Sequence, residues 1–145
     1  MTLPTRQEIN PHDDLDGRTA CEHFLGKTLE EAEALFRESP IYSQSDLMWM
    51  GAVAFRYYLP AVVQFIRSEA ADSDFVSHFC GTLEFRSEHE SAELPAVAEE
   101  LAALCGYVLD HWSRFEAGAE AYGDIRGRFA KLRDAFSRVA LPHKI

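Results

Sequence analysis

Three histidines are the side chains of this 145-residue chain best suited to binding a metal ion. His23, His78 and His111 lie on three different predicted helices, and a helical bundle can bring such helices together around one ion. Neutral imidazole nitrogens are good zinc ligands, and three of them leave a coordination position open for water or substrate. Each histidine, however, adjoins a large aromatic residue that better fills the core face of its helix. A metal-dependent enzyme that uses these three histidines is therefore the alternative hypothesis rather than the preferred one.

The other familiar catalytic patterns are missing from the sequence. It contains no glycine-rich phosphate-binding loop, no GxSxG elbow, no HExxH motif and no ExxH pair of the kind that helical di-iron sites use. The cysteines are three in number and widely separated, without a CxxC pair, and each has apolar neighbours: Cys21, Cys80 and Cys105. We expect them to be buried and inert rather than nucleophilic or disulfide-bonded. The sequence thus favours a non-catalytic protein without a cofactor.

The charge of the chain indicates what kind of partner it would attract. It contains 24 Asp and Glu against 14 Lys and Arg, a net charge of −10. Residues 1–100 have 7 basic and 19 acidic groups, a net of −12, and residues 101–145 have 7 and 5, a net of +2. Such an acidic surface repels nucleic acid and anionic lipid and attracts basic proteins at long range. We therefore expect a basic protein partner, with no nucleic acid and no membrane bound.

Residues 43–65 contain an unusual number of aromatic residues around one Asp and one Arg. We expect some of the large side chains there to stay partly outside the core, as interface anchors do. Asp46 is expected to pair with Arg56 across the turn and to hold residues 46–51 in place. The same stretch would also suit a structural plug over the end of the bundle, or the wall of a small-molecule pocket. The predicted partner-binding residues are Glu30, Glu33, Asp46, Trp49, Tyr57 and Tyr58.

Residues 36–66 also resemble a family of small, uncharacterised bacterial proteins. Their shared pattern is Y-x-x-x-D-L-M-W-M-G followed by A-F-x-Y-Y-L-P-A, which residues 42–61 match. The matching positions are Tyr42, Asp46, Leu47, Met48, Trp49, Met50, Gly51, Ala54, Phe55, Tyr57, Tyr58, Leu59, Pro60 and Ala61. The resemblance implies one folded bacterial domain, and the family has no established activity to transfer.

The elements that must position these residues are predicted to be helices. Apolar residues recur every three or four positions along most of the chain, and no strand-like alternation persists. A capping box at Thr28 and Glu31 should begin one helix, and Pro40 should end it. Pro60 either begins a new helix or kinks a continuous one. The predicted helices cover residues 18–25, 28–39, 47–50, 51–68, 72–85, 95–115 and 122–139, with residues 86–93 as a loop.

We therefore predict an all-α fold, a single-domain bundle of five to seven helices that ends in an antiparallel helical hairpin. Residues 17–145 would form the domain, and residues 1–16 a poorly ordered or surface-hugging acidic arm. The N-terminus has no apolar run of the secretory type, and no stretch is long and apolar enough to span a membrane. These features predict a cytoplasmic protein.

The preferred functional hypothesis is a protein-binding module. A small, acidic, helical chain without grouped catalytic side chains resembles a bacterial immunity protein, which neutralises a basic toxin by covering its site. Charge would then set the rate of association and the aromatic residues the lifetime of the complex. A homodimer whose acidity serves only solubility is a further alternative.

Overall fold

The computed structural model describes residues 2–89 and 91–139 of the chain. The elements in these residues are nine α-helices and three short 3-10 helices, and no strand occurs among them. The predicted all-α fold is therefore confirmed. The helices outnumber the expected five to seven partly because two of them have only four residues. By its internal packing the chain divides into two compact units, Met1–Ala71 (unit 1) and Asp72–Ile145 (unit 2).

Unit 1 consists of five helices whose starts are fixed by local side chains. Thr28 accepts a hydrogen bond from the amide of Glu31, whose carboxylate accepts one from the amide of Thr28, so the predicted capping box is confirmed. A second capping box, from Thr5 to Glu8, begins the first helix. The five helices are α1 (Arg6–Ile9), α2 (Leu15–Phe24), α3 (Leu29–Glu38), α4 (Pro40–Trp49) and α5 (Ala52–Arg67).

The two prolines of the α4–α5 region take different positions in their helices. Pro40 follows the end of α3, as expected, but it is also the first residue of α4, where its missing amide hydrogen costs no hydrogen bond. Helix α4 is therefore ten residues long, whereas the sequence predicted only a short turn near its end. Pro60 lies inside α5, which continues past it as one helix. Proline lacks the amide hydrogen that would otherwise bond to the carbonyl four residues earlier, that of Arg56. Both Pro60 and Arg56 are exposed residues, so water can reach this carbonyl.

Part of the expected N-terminal arm is a helical turn. Ile9 of α1 is fully buried, and its carbonyl accepts a hydrogen bond of 3.0 Å from the amide of Gly51. At Gly51, a β-carbon would lie only 2.3 Å from the carbonyl oxygen of Glu8, so the close approach requires glycine. The buried side chain of Ile9 and its backbone hydrogen bond with Gly51 hold this helical turn against unit 1. The polar composition of residues 1–16 does not predict these two contacts.

The core of unit 1 is built from aromatic rings. Phe24 packs against Phe36 and Tyr58, with ring centroids 5.9 and 5.0 Å apart, and Phe36 packs against Phe65 at 6.0 Å. These rings come from α2, α3 and α5, so one aromatic cluster joins three helices. Tyr58 is the polar member, and its hydroxyl donates toward the carbonyls of Phe24 and Lys27 at 2.8 and 2.9 Å. The α5 helix is thereby tied to the C-terminal end of α2.

Unit 2 contains α6 (Ser73–His89), α7 (Ala98–Asp110), a short segment α8 (Glu116–Ala119) and α9 (Ile125–Val139). Helix α6 extends to His89, into the region predicted as a loop. The 3-10 helices lie at Ser91–Ala96, Trp112–Arg114 and Glu120–Tyr122. The expected helix from Pro95 thus begins only at Ala98, because Pro95 belongs to the first 3-10 helix.

Helices α7 and α9 pack against each other through the apolar stripes that the sequence predicted. Their inward-facing side chains are all buried: Leu101, Leu104, Val108, Ile125, Phe129, Leu132 and Phe136. The predicted short turn between the helices is instead a connection of 14 residues, 111–124, where the backbone leaves helical geometry at Ala117 and Gly118. Within the described residues, no helix is both long and apolar enough to cross a membrane.

The Tyr58 hydroxyl gives a direct test of this packing. We expect Tyr58→Phe to lower the free energy of unfolding by about 1–2 kcal/mol, because two carbonyls of unit 1 lose a buried donor. Urea-induced unfolding followed by circular dichroism measures the change. Tyr57→Phe is the matched control, since Tyr57 is the neighbouring, half-buried tyrosine without such a bond, and its effect should stay within about 0.5 kcal/mol. Equal losses in the two variants would contradict the assignment.

Candidate functional site

The residues predicted to bind a partner lie in unit 1, and the structure separates them by exposure. Glu30 on α3 is exposed, and Glu33 is half-buried beside Arg37, whose guanidinium donates to it at 2.6 Å. Trp49, at the end of α4, keeps 42% of its surface exposed, and Tyr57 is half-buried. These four residues offer some surface to a partner.

Tyr58 and Asp46 do not belong to an exposed patch. Tyr58 is fully buried, with its ring edge-on to that of Tyr57 at 5.0 Å. Burial raises the pKa of the Tyr58 phenol to about 12, so the hydroxyl remains a hydrogen-bond donor under ordinary conditions. Asp46 is only 4% exposed. For both residues the prediction of a partner contact is corrected, because the helix rotation places these side chains inside unit 1.

The partner of Asp46 also differs from the predicted one. Its Oδ2 atom lies 2.5 Å from Nδ1 of His23 on α2, while Arg56 is exposed on α5. When Asp46 is ionised, the Nδ1–H group of His23 donates to its carboxylate, and the contact fixes the orientation of the ring with Nε2 on its far side. The His23 side chain retains 37% exposure, so the pair reaches from the interior to the surface. It joins α2 to α4 and is the most polar feature inside unit 1.

The environment of Asp46 shifts its titration. Removal from water raises the pKa of the carboxyl above its ordinary value, and the nearby Glu22 adds to the rise. The hydrogen bond and the charge of His23 act in the opposite direction and offset only part of it. An ionised Asp46 is thus tolerated in the folded chain because His23 is its partner.

The exposed apolar surface of unit 1 includes one aromatic residue that the predicted set omitted. Tyr42 is 75% exposed at the beginning of α4, and Val53 is 54% exposed at the beginning of α5. Tyr42, Ser45 and Trp49 are spaced i, i+3 and i+7, which places them on one face of α4. The sequence contains that spacing, but a proline at position 40 predicts the end of α3 more directly than the start of another helix, so the spacing alone does not reveal the face.

The three histidines proposed as metal ligands occupy unrelated settings. His23 belongs to unit 1 and pairs with Asp46, whereas His78 and His111 belong to unit 2. His78 packs edge-on against Tyr122 at 5.2 Å, and Nδ1 of His111 lies 2.9 Å from the carbonyl of Tyr107 one turn earlier. In residues 2–89 and 91–139 no group of three or more His, Cys, Asp and Glu side chains is arranged to hold a metal ion.

The cysteines are buried, as expected, and all three are free thiols. Burial raises the pKa of Cys80 and of Cys105 to about 12, and it raises the pKa of Cys21 as well. Since the thiolate is the nucleophilic form, these side chains are chemically inert in the folded protein.

Comparison with protein-family models, curated proteins and solved structures finds no match for this chain. The resemblance of residues 42–61 to a bacterial family therefore stays a prediction. What the chain can do must be argued from its own residues.

The buried Asp46 predicts a pH dependence of stability. The Asp46 carboxyl has a higher pKa in the folded state than in the unfolded state. Folding therefore stabilises its protonated form, and the chain loses this stability as the pH rises and the carboxyl ionises. The free energy of unfolding should therefore fall as the pH rises from the ordinary value of 3.8 to the raised pKa of Asp46. Asp46→Asn should remove this part of the slope, and urea unfolding at a series of pH values measures it.

Asp134→Asn, at an exposed position of α9, is the matched control and should keep the slope of the original protein. If Asp46→Asn and the original protein showed the same slope throughout this range, the carboxyl of Asp46 would not titrate as its burial requires.

Proposed function

We propose that this protein is a non-catalytic protein-binding module whose partner is a basic protein. The observation that carries the proposal is the exposure of aromatic side chains on an acidic unit. Tyr42 leaves three quarters of its surface in water, and Trp49 on the same helical face leaves 42%. Large rings of this kind act as binding anchors, since they bury much apolar area while losing little conformational entropy.

Acidic residues stand on the helix next to these rings. Helix α3 packs against α4 and contributes Glu30, Glu31 and Glu38 to the surface, besides the half-buried Glu33. The Arg37 ion pair neutralises Glu33 in part, so Glu30 and Glu38 are the freer charges. A basic partner would meet charge on α3 and aromatic surface on α4.

The charge of the whole chain supports the same partner. Unit 1 contains 6 Lys and Arg against 11 Asp and Glu, and unit 2 contains 8 against 13, so each has a net charge of −5. A surplus of negative charge of this size raises the rate at which a basic protein associates with the chain. The increase in rate becomes smaller as added salt screens the charges.

Within this class we favour an immunity-type role, in which the chain covers the site of a basic toxin. Such a role needs a stable contact surface and no catalytic group of its own. The revised contact set is Glu30, Glu33, Tyr42, Trp49 and Tyr57, with Asp46 and Tyr58 as the residues that hold it from within.

Capture of a partner at low salt tests the proposal. The chain, immobilised by its C-terminus, should retain a basic protein from a lysate of its native host, and association of the purified pair should slow steeply with added salt. Tyr42→Ala should accelerate dissociation at least about tenfold, a loss of about 1.4 kcal/mol. Glu30→Gln should slow association and flatten its salt dependence.

Asp134→Asn is again the matched control, because it removes one exposed carboxylate from unit 2 and should leave the lifetime of the complex unchanged. Binding that ignores salt, or a captured partner that is acidic, would contradict the proposal. Addition of the purified partner to a growth or enzyme assay then decides whether the chain inhibits a toxin or binds a basic protein of another kind.

A further inference from the structure

A second feature of unit 1 points to a ligand of the opposite charge. A cavity of about 570 Å³ lies beside α1 and the beginning of α2. Two arginines, two amides and a single carboxylate line it, and all of these residues except Asn10 are exposed: Arg6, Arg18, Gln7, Asn10 and Asp13, together with Pro11. Two arginines against one carboxylate give the lining a formal charge of +1, in a chain with ten more acidic than basic groups.

The two guanidinium groups are not engaged elsewhere. Among the described residues, neither Arg6 nor Arg18 makes a side-chain hydrogen bond or an ion pair. Other arginines of the chain do, for example Arg37 with Glu33 at 2.6 Å and Arg128 with Glu84 at 2.5 Å. A guanidinium presents five donors in a planar fork, so two unpaired forks at one cavity can grip the oxygens of an anion.

The walls of the cavity are fixed by polar contacts. The Asn10 side chain accepts from the amide of Asp14 at 3.1 Å and donates to its carbonyl at 3.3 Å. At Gly17 on α2, a β-carbon would lie 1.9 Å from Oδ1 of Asn10, so α2 approaches this residue as closely as its backbone allows. Arg6 on α1 and Arg18 on α2 therefore flank a connection that is held in one arrangement.

We propose that this cavity binds an oxyanion, a carboxylate or a phosphate ester, through the guanidinium groups of Arg6 and Arg18. The carboxylate of Asp13 cancels one of the two positive charges and so weakens the attraction of the site for anions. Gln7 offers a neutral donor beside the arginines. The site shares no residue with the surface proposed for a basic partner and needs no such partner in order to be occupied.

Nuclear magnetic resonance of the full chain tests the site through the Nε–Hε signals of its arginines. Acetate and dimethyl phosphate, both monoanions, are titrated separately, and sodium chloride is titrated at the same ionic strength. We expect saturable shifts of the Arg6 and Arg18 signals with at least one of the two probes. The probe that saturates assigns the ligand as a carboxylate or a phosphate ester.

Variants then separate a built site from general attraction of anions. Arg6→Gln and Arg18→Gln should each weaken binding about tenfold or more, because a charged hydrogen-bond donor is lost. Arg56→Gln, an exposed arginine of the same unit outside the cavity, should leave it unchanged. Asp13→Asn should strengthen binding severalfold. Asn tolerates the left-handed backbone of this residue, whose φ is 49°, so the variant changes charge without changing shape.

Shifts that do not saturate, that sodium chloride reproduces, or that Arg56→Gln diminishes equally would overturn the proposal. Weaker or unchanged binding in Asp13→Asn would contradict the role given to that carboxylate. Glu30→Gln should not affect anion binding. If no anion binds at this cavity, the proposal of a basic partner is therefore unaffected and is decided by the capture experiment.

Discussion

The carboxylate of Asp46 lies almost entirely out of water and accepts its hydrogen bond from His23, which belongs to another helix. A buried charge without a partner would cost several kcal/mol, so α2 and α4 must keep their relative rotation for this pair to survive. That rotation in turn sends Tyr42 and Trp49 outward on α4 and presents the ring of His23 at the surface. The aromatic cluster joins three helices of unit 1, and the Asp46–His23 pair fixes which faces of α2 and α4 remain exposed.

Features that depend on neighbours in the sequence could be predicted, and features that depend on distant residues could not. The capping box of Thr28 and Glu31 and the stripes of α7 and α9 follow from spacings of three and four residues. The partner of Asp46 is His23, which is 23 residues away in the sequence. The prediction that Asp46 pairs with the nearer Arg56 was wrong. Tyr58 was assigned to the surface because its hydroxyl is polar. The carbonyls of Phe24 and Lys27 that satisfy it inside the core become visible only when α2 and α5 have packed.

The same distinction applies to charge. Dividing the sequence after residue 100 suggested a strongly acidic region followed by a slightly basic one, but the compact units divide after Ala71 and share the acidity equally. The proposed attraction of a basic protein would therefore involve both units, while the contacts proposed to prolong a complex are local to α3 and α4. The lining of the proposed anion site, with Arg6 and Arg18 against Asp13, differs in the sign of its formal charge from the chain as a whole.

The reactivity of the three buried thiols depends on how often the structure around each of them opens. Cys21 belongs to unit 1, and Cys80 and Cys105 belong to unit 2. None of these thiols can react while the structure around it stays closed, because reagents cannot reach the sulfur and burial keeps the thiol protonated. An alkylating reagent would therefore modify each thiol at the frequency with which its own unit opens. Mass spectrometry of the modified peptides would then report, without any introduced label, whether the two units open together or one at a time.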